Sequence, residues 1–451
     1  MMNTYTYQDL LNVGNSDKER MNFVRDCIAQ HKSSDAYKTA YIADQYNRHK
    51  NVTIAEYQKL LYTVSGKAIP DNWSANFKMA CRHFHRFIVQ ENQFLLANGV
   101  SWKNKDTSDR LGTQDCQFDT QLALCAKNAL IHGVSFGFFN LDHIEVFSLL
   151  EFVPLYDEEN GAIRAGIRFW QIAPAKPLRA TLYEEDGYTD YIWDADSARV
   201  LHNKRTYKVK VDTSIADGER IYGGENYPSF PIVPLWGSSE HQSEIVGLRE
   251  QIDCYDLIKS GFANTVDEAS IVYWTLTNAG GMDDIDLAKF VERMKTVHAA
   301  VVDDQAQSHS QDAPYASREA LLDRLDRDLY RDAMALNTDA IAGGAVTATQ
   351  IKAAYEPLNS KTDDYEYQVV TFIEKILSLA GIEDKPTFTR SLLINTSETI
   401  QNILQCAQML PSDYVTKKLL DVLGDGDKAE DIIKQMQADE LTRIPEPEIE
   451  V

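Results

Sequence analysis

Between residues 243 and 380 apolar positions recur at helical spacing, and this stretch organises the chain. Leu248, Ile252, Tyr255, Ile258, Phe262 and Val266 follow one another at intervals of three and four, with Glu250, Asp253 and Asp256 off the stripe, which predicts a long amphipathic helix. A second run opens at Ser317, a residue able to cap, and sets Leu322, Leu325, Leu329, Ala333 and Leu336 on one face of an otherwise charged segment. Between the two runs, Ile271 to Leu276 and Ala299 to Val302 read as strands and Asp286 to Lys295 as a short helix. The Gln/Ser/His-rich stretch from Asp303 to Asp312 closes this compact α/β insertion. Residues 337–346 are small and contain Gly343-Gly344, and a further helix from Thr347 contains Pro357. Proline removes a backbone donor and clashes with the preceding turn, so that helix is expected to kink.

Upstream, residues 1–65 are polar and Tyr-rich and read as peripheral, with short helical stretches around Asp17 to Ala29 and Ile54 to Tyr62. Phe77, Cys81, Phe84, Ile88 and Leu95 predict one helix, from Asn72 to a stop at Asn98-Gly99, and Thr120 to His132 predicts another that stops at Gly133. From Val134 to Pro234 the period changes to that of antiparallel strands: Val134 to Phe139, Glu145 to Phe147, Ala165 to Trp170, Ala180 to Tyr183 and Tyr191 to Trp193. Asp157 to Gly161 and Glu184 to Gly187 supply hairpin turns, because Asn-Gly and Asp-Gly tolerate positive φ. Residues 387–438 hold two or three short helices, and the acidic, proline-rich end from Pro445 reads as a tail. The fold class is α+β.

At 451 residues the chain exceeds what one core usually fills, so two or more domains are expected. A net charge of −23 disfavours a duplex held by counterion release. Six cysteines without a CxxC pair read as free thiols in a reducing compartment, and the chain reads as soluble, with neither a membrane span nor a secretion signal. Candidate chemistry is sparse. Cys81, His83 and His85 diverge by roughly 200° per two residues on a helix and do not close on one metal. Gly343-Gly344 is not followed by Gly-Lys-Ser/Thr, which favours a hinge over a phosphate loop. Asp283, Asp284 and Asp286 lack the rest of a calcium loop and suit a helix start. Neither a Gly-x-Ser-x-Gly elbow nor a His-Glu-x-x-His pair occurs, so no catalytic, metal or cofactor site is expected.

The order of elements resembles the portal proteins of tailed bacteriophages, in the family found in long-tailed phages of Gram-positive hosts. The resemblance lies in consecutive short matches: Ser74-Ala-Asn-Phe77, Arg86-Phe-Ile-Val89, Phe94-Leu-Leu-Ala-Asn-Gly99, Ala129-Leu-Ile-His-Gly-Val-Ser-Phe136, Leu150-Glu-Phe-Val-Pro-Leu-Tyr-Asp157 and Phe230-Pro-Ile-Val-Pro234. Gly247-Leu-Arg-Glu-Gln-Ile-Asp-Cys-Tyr-Asp256, with Ser260 and Asn264 after it, is the most telling. Leu321-Leu-Asp-Arg-Leu325 and Thr347-Ala-Thr-Gln-Ile-Lys352 hold the later places.

The resemblance implies a ring, usually a homo-dodecamer, at one vertex of the capsid in the virion and in the host cytoplasm during assembly. Double-stranded DNA passes through it without sequence specificity. It further implies as partners the large terminase subunit, a head-tail adaptor, and the major capsid and scaffolding proteins, with no membrane and no enzyme activity. By position, residues 1–239 are the wing, 240–266 and 317–336 the stem helices, 267–316 the clip, 337–346 the tunnel loop, 347–381 the kinked helix and 382–451 the crown with its acidic tail. Leu248, Ile252, Phe262, Leu325 and Leu329 are expected to pack between subunits, because one copy alone leaves them uncovered. Trp274 and Asp286 are expected to dock partners at the clip, Asn337, Asp339, Ile341, Gly343 and Gly344 to form the loop, and Pro357 to kink the helix. The loop has no Lys or Arg, unlike a phosphate-gripping one. Two other classes fit the same composition. Another ring-forming head-tail connector would lack the helix, insertion, helix order between Glu240 and Leu336, and a cytosolic α+β enzyme would need a convergent polar pocket.

Overall fold

The computed structural model describes residues 5–14, 16–62, 67–72, 74–194, 197–212, 220–269, 273–276, 306–309, 315–340, 348–391, 396–407, 409–423, 429 and 432–436. Helix α1 (Tyr7–Asn12) opens on a capping box in which the Thr6 hydroxyl accepts from the Asp9 amide and Asp9 accepts from the Thr6 amide. Ser34 ends α2 (Asp17–Ser33) and caps α3 (Asp35–Asn47), where its hydroxyl accepts from the Tyr37 amide. These helices are not peripheral. Phe23, Val24, Cys27 and Ile28 of α2 are buried against Val153, Leu155, Ile167 and Leu182, while Ala40, Ala43 and Tyr46 of α3 enter the main core. The buried face of α3 is made largely of alanines, whose small apolar area gives a weak periodic signal. The helix expected from Ile54 to Tyr62 is one short turn, α4 (Val52–Glu56), followed by strand β1 (Leu60–Tyr62), which pairs with β2 (Ala68–Pro70).

Helix α5 (His83–Leu96) begins well after Asn72, and Phe77 and Cys81 lie in an extended segment before it. After β3 (Val100–Ser101) and α6 (Lys105–Leu111), helix α7 (Phe118–His132) ends as expected at Gly133, whose φ is 87°. A Cβ at Gly133 would sit 2.9 Å from the Gln242 carbonyl carbon and 3.0 Å from the Ser243 nitrogen. Both the left-handed backbone and the close approach require glycine, so Gly133→Ala is expected to cost about 2 kcal/mol or more, measurable by denaturant titration.

Strands β4 (Val134–Asn140), β5 (His143–Ser148), β6 (Phe152–Tyr156), β7 (Ile163–Trp170), β8 (Leu178–Glu184), β9 (Gly187–Trp193) and β10 (Ala198–Arg205) contain all five segments read as strands. The turns at Gly161 and Gly187 carry φ of 68° and 140°. A separate two-stranded hairpin, β11 (Lys208–Asp212) with β12 (Arg220–Glu225), precedes β13 (Ile232–Trp236). Two antiparallel sheets result, ordered β10-β9-β8-β7-β6 and β13-β4-β5. Strands β6 and β13 escape an alternation reading because both are buried along most of their length and each carries a proline. Both are edge strands. The Phe169 amide donates to the Glu151 carbonyl and the Phe139 amide to the Pro231 carbonyl, so the residues three further on, Pro154 and Pro234, put their nitrogens on the open edges. Proline there removes an outward donor and blunts each edge against a stray strand.

Helix α8 (Arg249–Ala269) leads to β14 (Tyr273–Leu276), and β14 pairs with β15 (Ala306–His309), inside the stretch expected only to close the insertion. The expected strand at 299–302 and helix at 286–295 lie outside the described residues. Helix α9 (Tyr315–Asp332) starts before Ser317, so Ser317 lies in its first turn rather than capping it. A 3-10 turn (Thr338–Ala340) and α10 (Ala348–Ala380) follow. Helix α10 runs through Pro357 without interruption. Strand β16 (Thr387–Phe388) returns to pair with β3, and α11 (Thr396–Cys406) and α12 (Ser412–Leu423) form the C-terminal hairpin. One core joins α3, α5, α7, the three-stranded sheet, the base of α8, the end of α9 and α10.

Candidate functional site: a helical hairpin clamped to the body

Helices α8 and α9 pack on each other, and the face α8 buries is not the one its apolar pattern marks. The buried row begins at Leu248, just before the helix, and continues through Ile252, Asp256, Ser260 and Asn264, every fourth residue, apolar in the first two and polar in the last three. The polar half meets the extended segment before α5. Asp256 Oδ1 accepts from the Cys81 amide at 2.8 Å, Ser260 Oγ from the Met79 amide at 2.9 Å and Asn264 Oδ1 from the Phe77 amide at 2.7 Å. Four helical residues rise about 6.0 Å and two extended residues about 6.6 Å, so the two periods match well enough for three successive rungs. The segment finds in side chains the acceptors that a neighbouring strand would otherwise provide.

Three further contacts secure the same length of α8. Asn51 donates through Nδ2 to Asp256 Oδ2 at 2.9 Å, Thr53 donates to Asp253 Oδ2 at 2.8 Å, and the Tyr46 hydroxyl donates to Asp253 Oδ1. Asp256 is fully buried, and that burial raises its pKa against the opposing effect of its hydrogen bonds. Helix α9 is held by α5: His83 Nε2 lies 2.7 Å from Asp326 Oδ1, and the Tyr330 ring meets Phe87 edge-on at 5.3 Å. Gln90 grips the chain past α9 in both directions, donating to the Leu336 carbonyl at 3.1 Å and accepting from the Leu336 amide at 3.0 Å. At the outer end Arg318 of α9 donates to Thr265 Oγ1 at 2.6 Å and to the Gly261 carbonyl, and the Phe262 and Tyr315 rings meet at 5.6 Å.

Within one copy the residues expected to pack between subunits divide by burial. Leu248, Ile252 and Leu329 are 5%, 2% and 0% exposed, covered by this chain's own core because the base of the hairpin is sunk into the body. Phe262 and Leu325 are half-buried, and the exposed apolar residues of the hairpin are Leu257, Val266, Tyr315 and Leu321. Asn337 Oδ1 accepts from the Asp339 amide at 3.0 Å in the 3-10 turn, while Ile341, Gly343, Gly344 and Asp286 lie outside the described residues. Trp274 is opposite Ser308 in the β14–β15 register.

Cys81, His83 and His85 turn to separate partners. The Cys81 amide goes to Asp256, the His83 ring to Asp326 and His85 Nδ1 to Asn47 Oδ1 at 3.0 Å. A cleft of about 920 Å³ lies between β6, β13, α3 and the end of α10. Three polar groups on its wall are held by neighbours: His31 by the Leu149 carbonyl, Arg164 by Asp157 and Glu185, and His241 by stacking on Trp236 at 3.9 Å. His132 beside them is buried and held neutral, its pKa lowered to about 4 by desolvation. They do not converge as a nucleophile with its base. Among the described residues no helix is long and apolar enough to cross a membrane, and no group of three His, Cys, Asp or Glu side chains is placed to hold a metal.

Residues 43–442, most of the chain and the whole of this hairpin, match a single protein family. The chain belongs to the family described as phage portal protein, SPP1 Gp6-like. It is 24% identical over 212 residues to the portal protein of Clostridium phage phiCD119, a match covering 44% of this chain and 47% of that relative, about half its length. It is 22% identical over 384 residues to the portal protein of Bacillus phage SPP1, covering 78% of this chain and 74% of that one. Among solved structures it is similar to a chain in the neck of an empty GTA particle computed with C6 symmetry, with a TM-score of 0.42, 9% identity and coverage of 76% and 90% of the two chains.

Proposed function

We propose that this chain closes with copies of itself into a ring, a dodecamer by the family's habit, at one vertex of a phage capsid, the channel by which double-stranded DNA enters and leaves. The observation that carries the reading is the family match over residues 43–442, and the exposed apolar residues of the hairpin support it as a surface for a neighbouring copy. On this reading residues 240–266 and 317–336 are the stem, 267–316 the clip, 337–346 the tunnel loop, 347–381 the helix with Pro357, 382–451 the crown with its acidic tail and 1–239 the wing. Terminase and the adaptor dock on the clip through Trp274 and Asp286, and capsid and scaffolding proteins meet the wing. A net charge of −23 per copy suits a channel, because a basic bore would trap the polyanion it must pass.

The tunnel loop then acts by shape, Ile341 narrowing the bore and Gly343-Gly344 letting the backbone follow the duplex. Catalysis belongs to a separate terminase. Purified protein in native buffer is expected to show rings with a central hole by negative-stain imaging, and rings given ATP and duplex DNA to release no phosphate above blank. A monodisperse monomer at micromolar concentration overturns the ring, and phosphate release overturns the division of labour.

A further inference from the structure

One buried cation sits where four parts of the fold meet. Lys361 of α10 places Nζ 2.7 Å from Glu91 Oε2 of α5 and 2.6 Å from Glu244 Oε2, in the segment just before α8. The same Nζ donates to the carbonyl of Ala333, just past α9, at 3.3 Å. Lys361 therefore touches both ends of the hairpin and the body at once, from the helix that follows the loop. Glu91 is 2% exposed and Glu244 17% by side chain, so little water screens them. The next turn of α10 adds Asp364, which receives the Ser239 amide at 2.8 Å, and Tyr365, whose hydroxyl donates to Asn92 Oδ1 at 3.0 Å.

The charge count is uneven. One ammonium faces two carboxylates with a third, Asp364, nearby, and two carboxylates sharing one dry site do not both ionise freely. We propose that the Glu91–Lys361–Glu244 cluster is a proton-loaded latch: with a proton on Glu91 it pins α10 to both ends of the hairpin, and without that proton the junction loosens. The direction of titration agrees. Desolvation foremost, then the charges of Glu244 and Asp364, raise Glu91 to about 7 in spite of Lys361, while the two carboxylates raise Lys361 and keep it charged. The proposal stands apart from ring formation, since every group in it belongs to one chain.

The sign follows from linkage. Glu91 ionises near 4.5 when released and near 7 when held, so between those values the closed junction binds a proton that the open one does not. Closure is strongest at the acid end and weakens as pH rises, by up to about tenfold per unit across that window, then levels off. The test is hydrogen exchange on the full-length protein between pH 5 and 8, corrected for intrinsic rates, read at residues 333–336 and 358–365. Wild type is expected to lose protection there as pH rises, while the α7 amides do not. Glu91→Gln keeps the side chain's size and a carbonyl oxygen for Lys361 without the charge and is expected to abolish the dependence. Glu244→Gln, at the more accessible arm, is expected to flatten it too by leaving one carboxylate for one ammonium, and carries the test if the Glu91 variant does not fold. Asp364→Asn, further from Nζ, is expected to leave the dependence largely in place. Wild-type dependence persisting in both glutamine variants, or absent from wild type, overturns the latch.

Discussion

Asp256→Ala is expected to destabilise the protein by about 2–5 kcal/mol, because it orphans two donors at once, the Cys81 amide and the Asn51 side chain, at a site without access to water. A residue on the outer face of the same helix, such as Glu250, offers the comparison, since its replacement by alanine should stay within about 0.5 kcal/mol. The ladder adds a local signature. Amides 77, 79 and 81 belong to no sheet, yet their acceptors in α8 should slow their exchange, and Asp256→Ala should release residue 81 first and its neighbours with it. Asp256→Asn keeps one acceptor and should fall between. Stability loss under 1 kcal/mol with unchanged exchange in this segment means the rungs are not what holds the hairpin to the body.

That ladder shows what was legible in the sequence and what was not. The helices around the insertion, the five strand segments and the stops at Gly133, Gly161 and Gly187 follow from periodicity and turn chemistry, which act within a few residues. The burial of α8 does not. Apolar spacing carries the stripe on to Ile258, Phe262 and Val266, but Val266 is 48% exposed while Asp256 is fully buried, because the partner at that height is a bare run of backbone amides rather than an apolar wall. A polar i, i+4, i+8 row of Asp256, Ser260 and Asn264 was the available sign, and all three stood among the residues carrying the portal resemblance. The same limit explains Phe77 and Cys81, read as part of one helix with Phe84 and Ile88. Their spacing is helical, yet the amides there pair across about 180 residues, and no local pattern encodes that. Lys361 was missed for a similar reason: its two glutamates come from segments over 100 residues away, and only the fold brings them together.

The hairpin's burial pattern also sets apart two kinds of leucine that look alike in sequence. Leu257 and Leu321 are 43% and 45% exposed, so Leu257→Asp with Leu321→Asp places two carboxylates where one copy alone can solvate them. In a ring whose neighbours cover this surface, each becomes an unpaired buried charge costing several kcal/mol, repeated at every interface. The double variant is therefore expected to keep the wild-type melting temperature of the monomer and its circular dichroism, while the ring fraction falls by more than tenfold in native mass measurements. Leu329→Ala should do the opposite. Leu329 is 0% exposed, so truncation opens a cavity inside one chain and costs about 2–5 kcal/mol whatever the assembly state. Leu325→Asp, at a half-buried position between the two classes, should show both losses. Rings of undiminished yield from the Leu257/Leu321 variant place the subunit contact off this face of the hairpin. Rings lost selectively on Leu329→Ala, with the monomer's stability intact, mean that the core residues of the stem do face a neighbour after all.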